Sequence, residues 1–240
     1  MFTARTYFLQ VVLPAFHEMV DRRRSRTTGD GIDLRAVGAA ADALLNLPDH
    51  LFRNDPPILE VATFKSIKDY RESHWSRCPA YELTCDIANS FKHRELTRQG
   101  KTINSKYDLV EACAICEFND SNGAYHYAIP YVLASTIDQG KCLVQRAIYN
   151  AMAYWNSELV RIGVIPKLVQ LNYSELVLRD DPAFADEFKI YGMAGEYMQI
   201  QNLVLFYNYE TLLLEAPKPG KRFKITVPIK CEIRPSVFDA

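Results

Sequence analysis

The spacing of apolar residues changes character near residue 105. Before that point it is helical. "TARTYFLQVVLPAFHEMVDR" carries apolar side chains every three or four positions and predicts a first helix over about 3–22. Asp33 precedes the Ala/Leu-rich run "LRAVGAAADALLNL" and is placed to cap a second helix, which ends near Pro48. Asp55, with Pro56 and Pro57, opens a third helix over about 57–75, with Leu59, Phe64, Ile67 and Tyr70 turned to the core. Pro79 stands in the first turn of a fourth helix through "AYELTCDIANSFKHREL".

After "RQGKTINSKYD" the pattern is that of strands. "DLVEACAICEF" and "AYHYAIPYVLAS" are apolar, aromatic and β-branched, and "NDSNG" between them has hairpin turn chemistry. A long helix follows over about 141–162, ended by Gly163, with Val144, Ile148, Met152 and Trp155 as a core stripe. "YMQIQNLVLFYNYETLLLE" and "RFKITVPIKCEIR" predict further strands, which either finish the sheet begun near residue 107 or form a small separate module. The expected fold is α+β. It has an N-terminal helical bundle (1–104), a β-hairpin plus long helix (105–171) and a β-rich C-terminal part (172–240).

Composition narrows the function classes. The 240 residues carry 28 basic and 29 acidic side chains, so a whole-protein basic field for nucleic acid is absent and RNA binding falls on a local patch. "DRRRSR" supplies one, with Arg22, Arg23, Arg24 and Arg26; a solvated basic loop at a helix C-terminus is the competing reading. No apolar run approaches the ~18 residues of a membrane span. Pro14, His17 and Glu18 interrupt the apolar start and no cleavage site follows, so an amphipathic helix is favoured over a signal peptide, and the cytoplasm is the expected compartment.

Six scattered cysteines do not form a disulfide framework. Cys113 and Cys116 lie three apart on a strand, point to opposite faces and read as buried structural residues. No second pair completes a zinc site, and the phosphate-loop, dinucleotide and hydrolase motifs are absent, so no metal or cofactor is expected. His74 beside Trp75 offers a base-stacking pair or a piece of core, and strand alternation leaves His126 exposed.

The candidate chemistry sits in "TCDIANSFKHRELTR". At ~100° per helical residue, Glu82, Asp86, Asn89 and His93 fall within about 60° of arc, with Leu83, Ile87 and Phe91 on another side. Asp and Asn are poor interior helix formers, which argues against a merely wet face. A carboxylate, an amide and an imidazole on one face can position a phosphate or a water, with His93 as general acid or base.

"IANSFKH" resembles the motif region of the HEPN (higher eukaryotes and prokaryotes nucleotide-binding) helical domains. RNA-cleaving members carry an Arg, an adjacent polar residue, three more residues and then a His. Asn89 matches the polar position and His93 the His, while Ala88 stands where the Arg belongs. The segment is also similar to the "DIA…KH" helix of small uncharacterised bacterial proteins that continue through a β-hairpin and a helix with "W..EL", here Trp155, Glu158 and Leu159. This likeness spans about 30–165.

The resemblance implies a non-catalytic, homodimeric binding or scaffold protein in RNA-linked bacterial defence or stress. Two alternatives stay open. One is a metal-independent endoribonuclease using His93 with Asn89 and Asp86, its missing cation borrowed from Arg94, Arg98 or a dimer partner. The other is an assembly protein with no nucleic-acid role.

Overall fold

The computed structural model describes residues 3–93, 95–97, 101–138, 140–181, 187–193, 201–216 and 229–234. The fold is α+β, with helices concentrated in the first hundred residues and a mixed sheet after them. The helices are α1 (Ala4–Tyr7), α2 (Leu13–Arg22), α3 (Ile32–Phe52), α4 (Ile67–Trp75), α5 (Pro79–Lys92) and α6 (Val144–Arg161). The strands are β1 (Thr27–Thr28), β2 (Leu109–Asp120), β3 (Gly123–Thr136), β4 (Gly140–Leu143), β5 (Phe188–Met193), β6 (Gln201–Asn208), β7 (Leu213–Glu215) and β8 (Ile229–Arg234).

The chain divides into two compact units that interleave along the sequence, in place of the consecutive 1–104, 105–171 and 172–240 expected from the pattern. The first comprises Met1–Val20, Arg35–Leu109 and Leu133–Asn172, and the second Asp21–Leu34, Val110–Val132 and Tyr173–Ala240.

In the first unit the predicted first helix is continuous but contains a π-helical turn, Phe8–Val12. Pro14 lies just beyond it, and its missing N–H is accommodated by a widened turn. α3 runs past Pro48, where the pattern predicted its end. Leu44, Leu47 and Leu51 are buried on both sides of the proline, and their packing outweighs one lost backbone bond. The predicted third helix is shorter: Val61–Thr63 is a 3-10 turn, and α4 begins only after Ser66, whose hydroxyl accepts the Asp69 amide at 3.1 Å. Leu59, expected in the core, is therefore outside it and 88% exposed.

The long helix also starts later than expected, because Gly140–Leu143 pairs with the end of β3 as a strand. Val144, Ile148, Met152 and Trp155 are all buried, as their spacing predicts. Gly163 ends α6 with φ +75, and the Val164 and Gly163 amides bond back to the Leu159 and Val160 carbonyls. Trp155 anchors this core, its ring 5.2 Å from Tyr81 of α5 and 4.6 Å from His74 of α4.

In the second unit the hairpin forms where "NDSNG" places it, with Gly123 at φ +101. β6 pairs parallel with β2 (Cys113 opposite Asn202) and antiparallel with β7, giving the order β3-β2-β6-β7 in this unit. The C-terminal part thus finishes the hairpin's sheet. It also supplies β5 and β8 to a parallel sheet of order β1-β5-β8. Cys113, Ala128, Phe188 and Ile190 form a buried cluster, and Phe118 stacks on Tyr125 at 5.4 Å.

Candidate functional site

α5 carries the residues singled out by sequence. It opens on Pro79, which has no N–H to leave unbonded, and closes where the His93 amide donates to the Asn89 carbonyl at 2.9 Å. His93 is the residue after the helix, in extended conformation (φ −125, ψ 140), and its side chain is exposed.

Asp86 lies elsewhere in environment. It is only 1% exposed, and its Oδ2 accepts the Thr102 amide at 2.6 Å and the Thr102 hydroxyl at 2.9 Å. The carboxylate fastens the returning chain to the middle of the helix. The expected polar stripe is not one surface: Asp86 is buried, Glu82 and Asn89 are half-buried, and His93 alone is exposed. The apolar side is corrected too. Phe91 is exposed, its ring lying across Gly38 of α3, where a Cβ would meet it at 3.1 Å.

α5 is covered over more of its circumference than a stripe of Leu83, Ile87 and Phe91 suggests, because small residues let neighbours close in. Thr84, Cys85, Ala88 and Ser90 are buried, and the two hydroxyls are satisfied by the Ala80 and Ile87 carbonyls at 2.7 Å. Thr102→Val removes one donor from the buried Asp86 carboxylate and keeps the amide. It is expected to lower unfolding free energy by about 1–2 kcal/mol, read by urea titration.

The basic segment is largely turned inward within the second unit. Arg23 is buried, donates to the Ser174 carbonyl at 2.5 Å, and stacks over Tyr131 and Tyr173 at 5.2 and 5.3 Å. Arg26 is buried, donates to the Ala128 carbonyl at 2.9 Å, and lies 4.3 Å over Tyr127. Arg22 bonds Asp33 at 3.1 Å, and Arg24 is exposed. Neither the phosphate-binding patch nor the solvated loop describes Arg23 and Arg26, whose guanidinium planes are spent on aromatic rings and carbonyls. Arg94 and Arg98 lie outside the described residues.

His74 is core. Its Nδ1 is 2.5 Å from the Tyr154 hydroxyl, and burial lowers its pKa to about 4, so the ring is neutral. His126, expected in solvent, is half-buried with Nε2 3.4 Å from Glu117. Cys113 and Cys116 are both buried, and burial raises both thiols, Cys113 to about 12, so neither is a reactive thiolate. Among the described residues no three His, Cys, Asp or Glu side chains are grouped to hold a metal ion. No helix among them is long and apolar enough to cross a membrane.

The strongest polar constellation of the first unit was not found by motif. Glu158, 4% exposed, accepts a two-pronged bond from Arg77 (3.1 and 3.2 Å) and another from Arg161 (2.9 and 2.6 Å). Arg161 continues to Glu60 at 2.7 Å. The signal was present: Glu158 lies on the same helical face as Trp155 and Leu159, where a carboxylate is out of place without cations, and Arg161 is three residues on. Beside this chain of charges, a groove of about 560 Å³ is lined by Asn54, Pro56, Leu59, Glu60, Arg161 and Val164 among others. No protein-family model, curated protein or solved structure matches the chain.

Proposed function

We propose that the chain is a non-catalytic binding or scaffold protein of HEPN-like kind, cytoplasmic and self-associating. The observation that carries this reading is Ala88. At the position where RNA-cleaving HEPN domains hold their arginine, this chain has a methyl group that is 1% exposed and packed inside the first unit. Asp86 is committed to Thr102, so His93 is left as an exposed proton carrier without the phosphate-stabilising cation of its own motif.

Assembly with a protein partner and no RNA is the second reading. It is favoured by Arg23 and Arg26, whose charges are withdrawn from the surface, and by the exposed Leu59 beside the groove.

Mixed RNA incubated with wild type and with His93→Ala is expected to survive intact in both, across pH and with or without divalent ions. Cleavage by wild type that His93→Ala abolishes overturns the non-catalytic reading. Retention of RNA on a filter at low salt, weakening as salt rises, separates the two binding readings.

A further inference from the structure

A second cluster of ionisable groups lies in the second unit, where α3 begins. Asp33 is 2% exposed in the first turn of α3, and Glu111 of β2 is likewise 2% exposed. Glu111 holds that turn: its Oε2 accepts the Gly31 amide at 3.2 Å and its Oε1 the Leu34 amide at 3.3 Å. Both Glu111 oxygens accept amides at a helix N-terminus, which favours its charged form against the cost of burial. Asp33 is placed differently. Its Oδ1 accepts from Arg22 Nε at 3.1 Å, while its Oδ2 is buried with no hydrogen-bond partner among the described residues.

The charged groups facing Asp33 are Arg22 from the end of α2, Glu111 from β2 and Asp30 from the intervening loop. Asp30 accepts the Ile32 amide at 3.0 Å and lies 4.0 Å from Arg22. Asp33 and Asp30 thus share one guanidinium, Glu111 is held by backbone amides alone, and Asp33 and Glu111 are both out of water. A bare buried Oδ2 suits a neutral carboxyl better than an anion.

We propose that Asp33 and Glu111 form a proton-controlled latch: Asp33 holds a proton while Glu111 grips the first turn of α3, and release of that proton to solvent loosens the grip. The electrostatics of Asp33 run the same way. Burial, then the Glu111 charge, push the Asp33 carboxyl up to about 7 against the opposing pull of Arg22, and burial also raises Glu111 against the amides of Gly31 and Leu34. Because the folded value lies above the ordinary one, the stabilising effect is complete at pH below about 4 and is lost as pH rises through about 7.

The test uses the full chain. The side-chain carboxyl of Asp33 is followed by carbon NMR from pH 4 to 9, and hydrogen-exchange protection of the Gly31 and Leu34 amides is measured at pH 6 and 8, corrected for intrinsic rates. The expected result is a titration midpoint near neutrality and at least a tenfold loss of protection at pH 8. Asp33→Asn, a permanent mimic of the neutral form, is expected to keep protection at pH 8 and to raise Tm there relative to wild type, the gain shrinking towards pH 5. A wild-type midpoint below 5 overturns the proposal, as does a neutral midpoint with unchanged protection. If Asp33→Asn does not fold, the wild-type titration and exchange decide alone.

Discussion

Ala88→Arg yields an unfolded or aggregating protein and does not restore a nuclease. The substitution looks like a repair, since it rebuilds the Arg-Asn-x-x-x-His spacing that the segment otherwise resembles. The structure gives the opposite expectation. Ala88 is 1% exposed and the residues one turn earlier on its face, Thr84 and Cys85, are buried too, so the methyl sits on the covered side of α5. An arginine there adds a long stem to a filled space, which costs about 1–3 kcal/mol by overpacking alone. Its guanidinium also leaves water without a designated acceptor, and an unpaired buried charge is worth several kcal/mol more. The sum, about 4 kcal/mol or more, is comparable with the total stability of many single domains. Circular dichroism and soluble yield check it. A variant that melts with wild type and cleaves RNA shows that the Ala88 side chain has room and that the HEPN motif is intact in all but one residue.

The same residue shows how far sequence reading reaches. Helical spacing located α5 and its proline start, and it located the buried stripe of α6, because those signals depend on neighbours within one turn or two. The hairpin was legible for the same reason: turn chemistry at "NDSNG" is local. What was not legible depended on partners distant in sequence. The pattern reads Asp86 as part of a functional face with Asn89 and His93 because its acceptor role is set by Thr102, sixteen residues away in a loop with no periodicity. Arg23 and Arg26 looked like surface charge because the rings that receive them, Tyr131, Tyr173 and Tyr127, come from strands and segments a hundred or more residues on. Pro48 looked like a stop because local propensity predicts one, and tertiary packing of Leu44, Leu47 and Leu51 overrode it. Leu59 was assigned to the core because a proline-led helix was expected there, whereas Ser66 starts α4 later. The interleaved units follow from the same limitation, since segment 21–34 joins the sheet-bearing unit through pairings such as Thr28 with Ile190.

Glu158→Gln lowers unfolding free energy by about 2–3 kcal/mol at pH 7, and the deficit shrinks as the pH is lowered. Burial by itself raises the Glu158 carboxyl, but hydrogen bonds from Arg161 and Arg77 outweigh it and bring the value down to about 2, from an ordinary 4.5. The folded state therefore binds this proton less readily than the unfolded chain. The stabilisation is complete above about pH 4.5 and is lost as pH falls towards 2, at about 1.4 kcal/mol per pH unit in between. Arg77 and Arg161 are each nearly half exposed, so after substitution they recover water, and the loss stays below that of breaking a wholly buried pair. His74 adds a second acid sensitivity in the same core: its pKa of about 4 means that stability declines from about pH 6.5 downward, as the unfolded chain takes up a proton the folded one refuses. The two are coupled: the Glu158 charge partly offsets burial at His74, so Glu158→Gln removes the carboxylate's own pH dependence below 4.5 and extends the His74 decline to lower pH. Chemical denaturation of wild type and variant at pH 7, 5, 4 and 3 measures the difference. A deficit that is the same at pH 7 and pH 3 means that Glu158 contributes by shape and not by charge. A deficit that grows on acidification means that the two arginines are held by something other than its carboxylate.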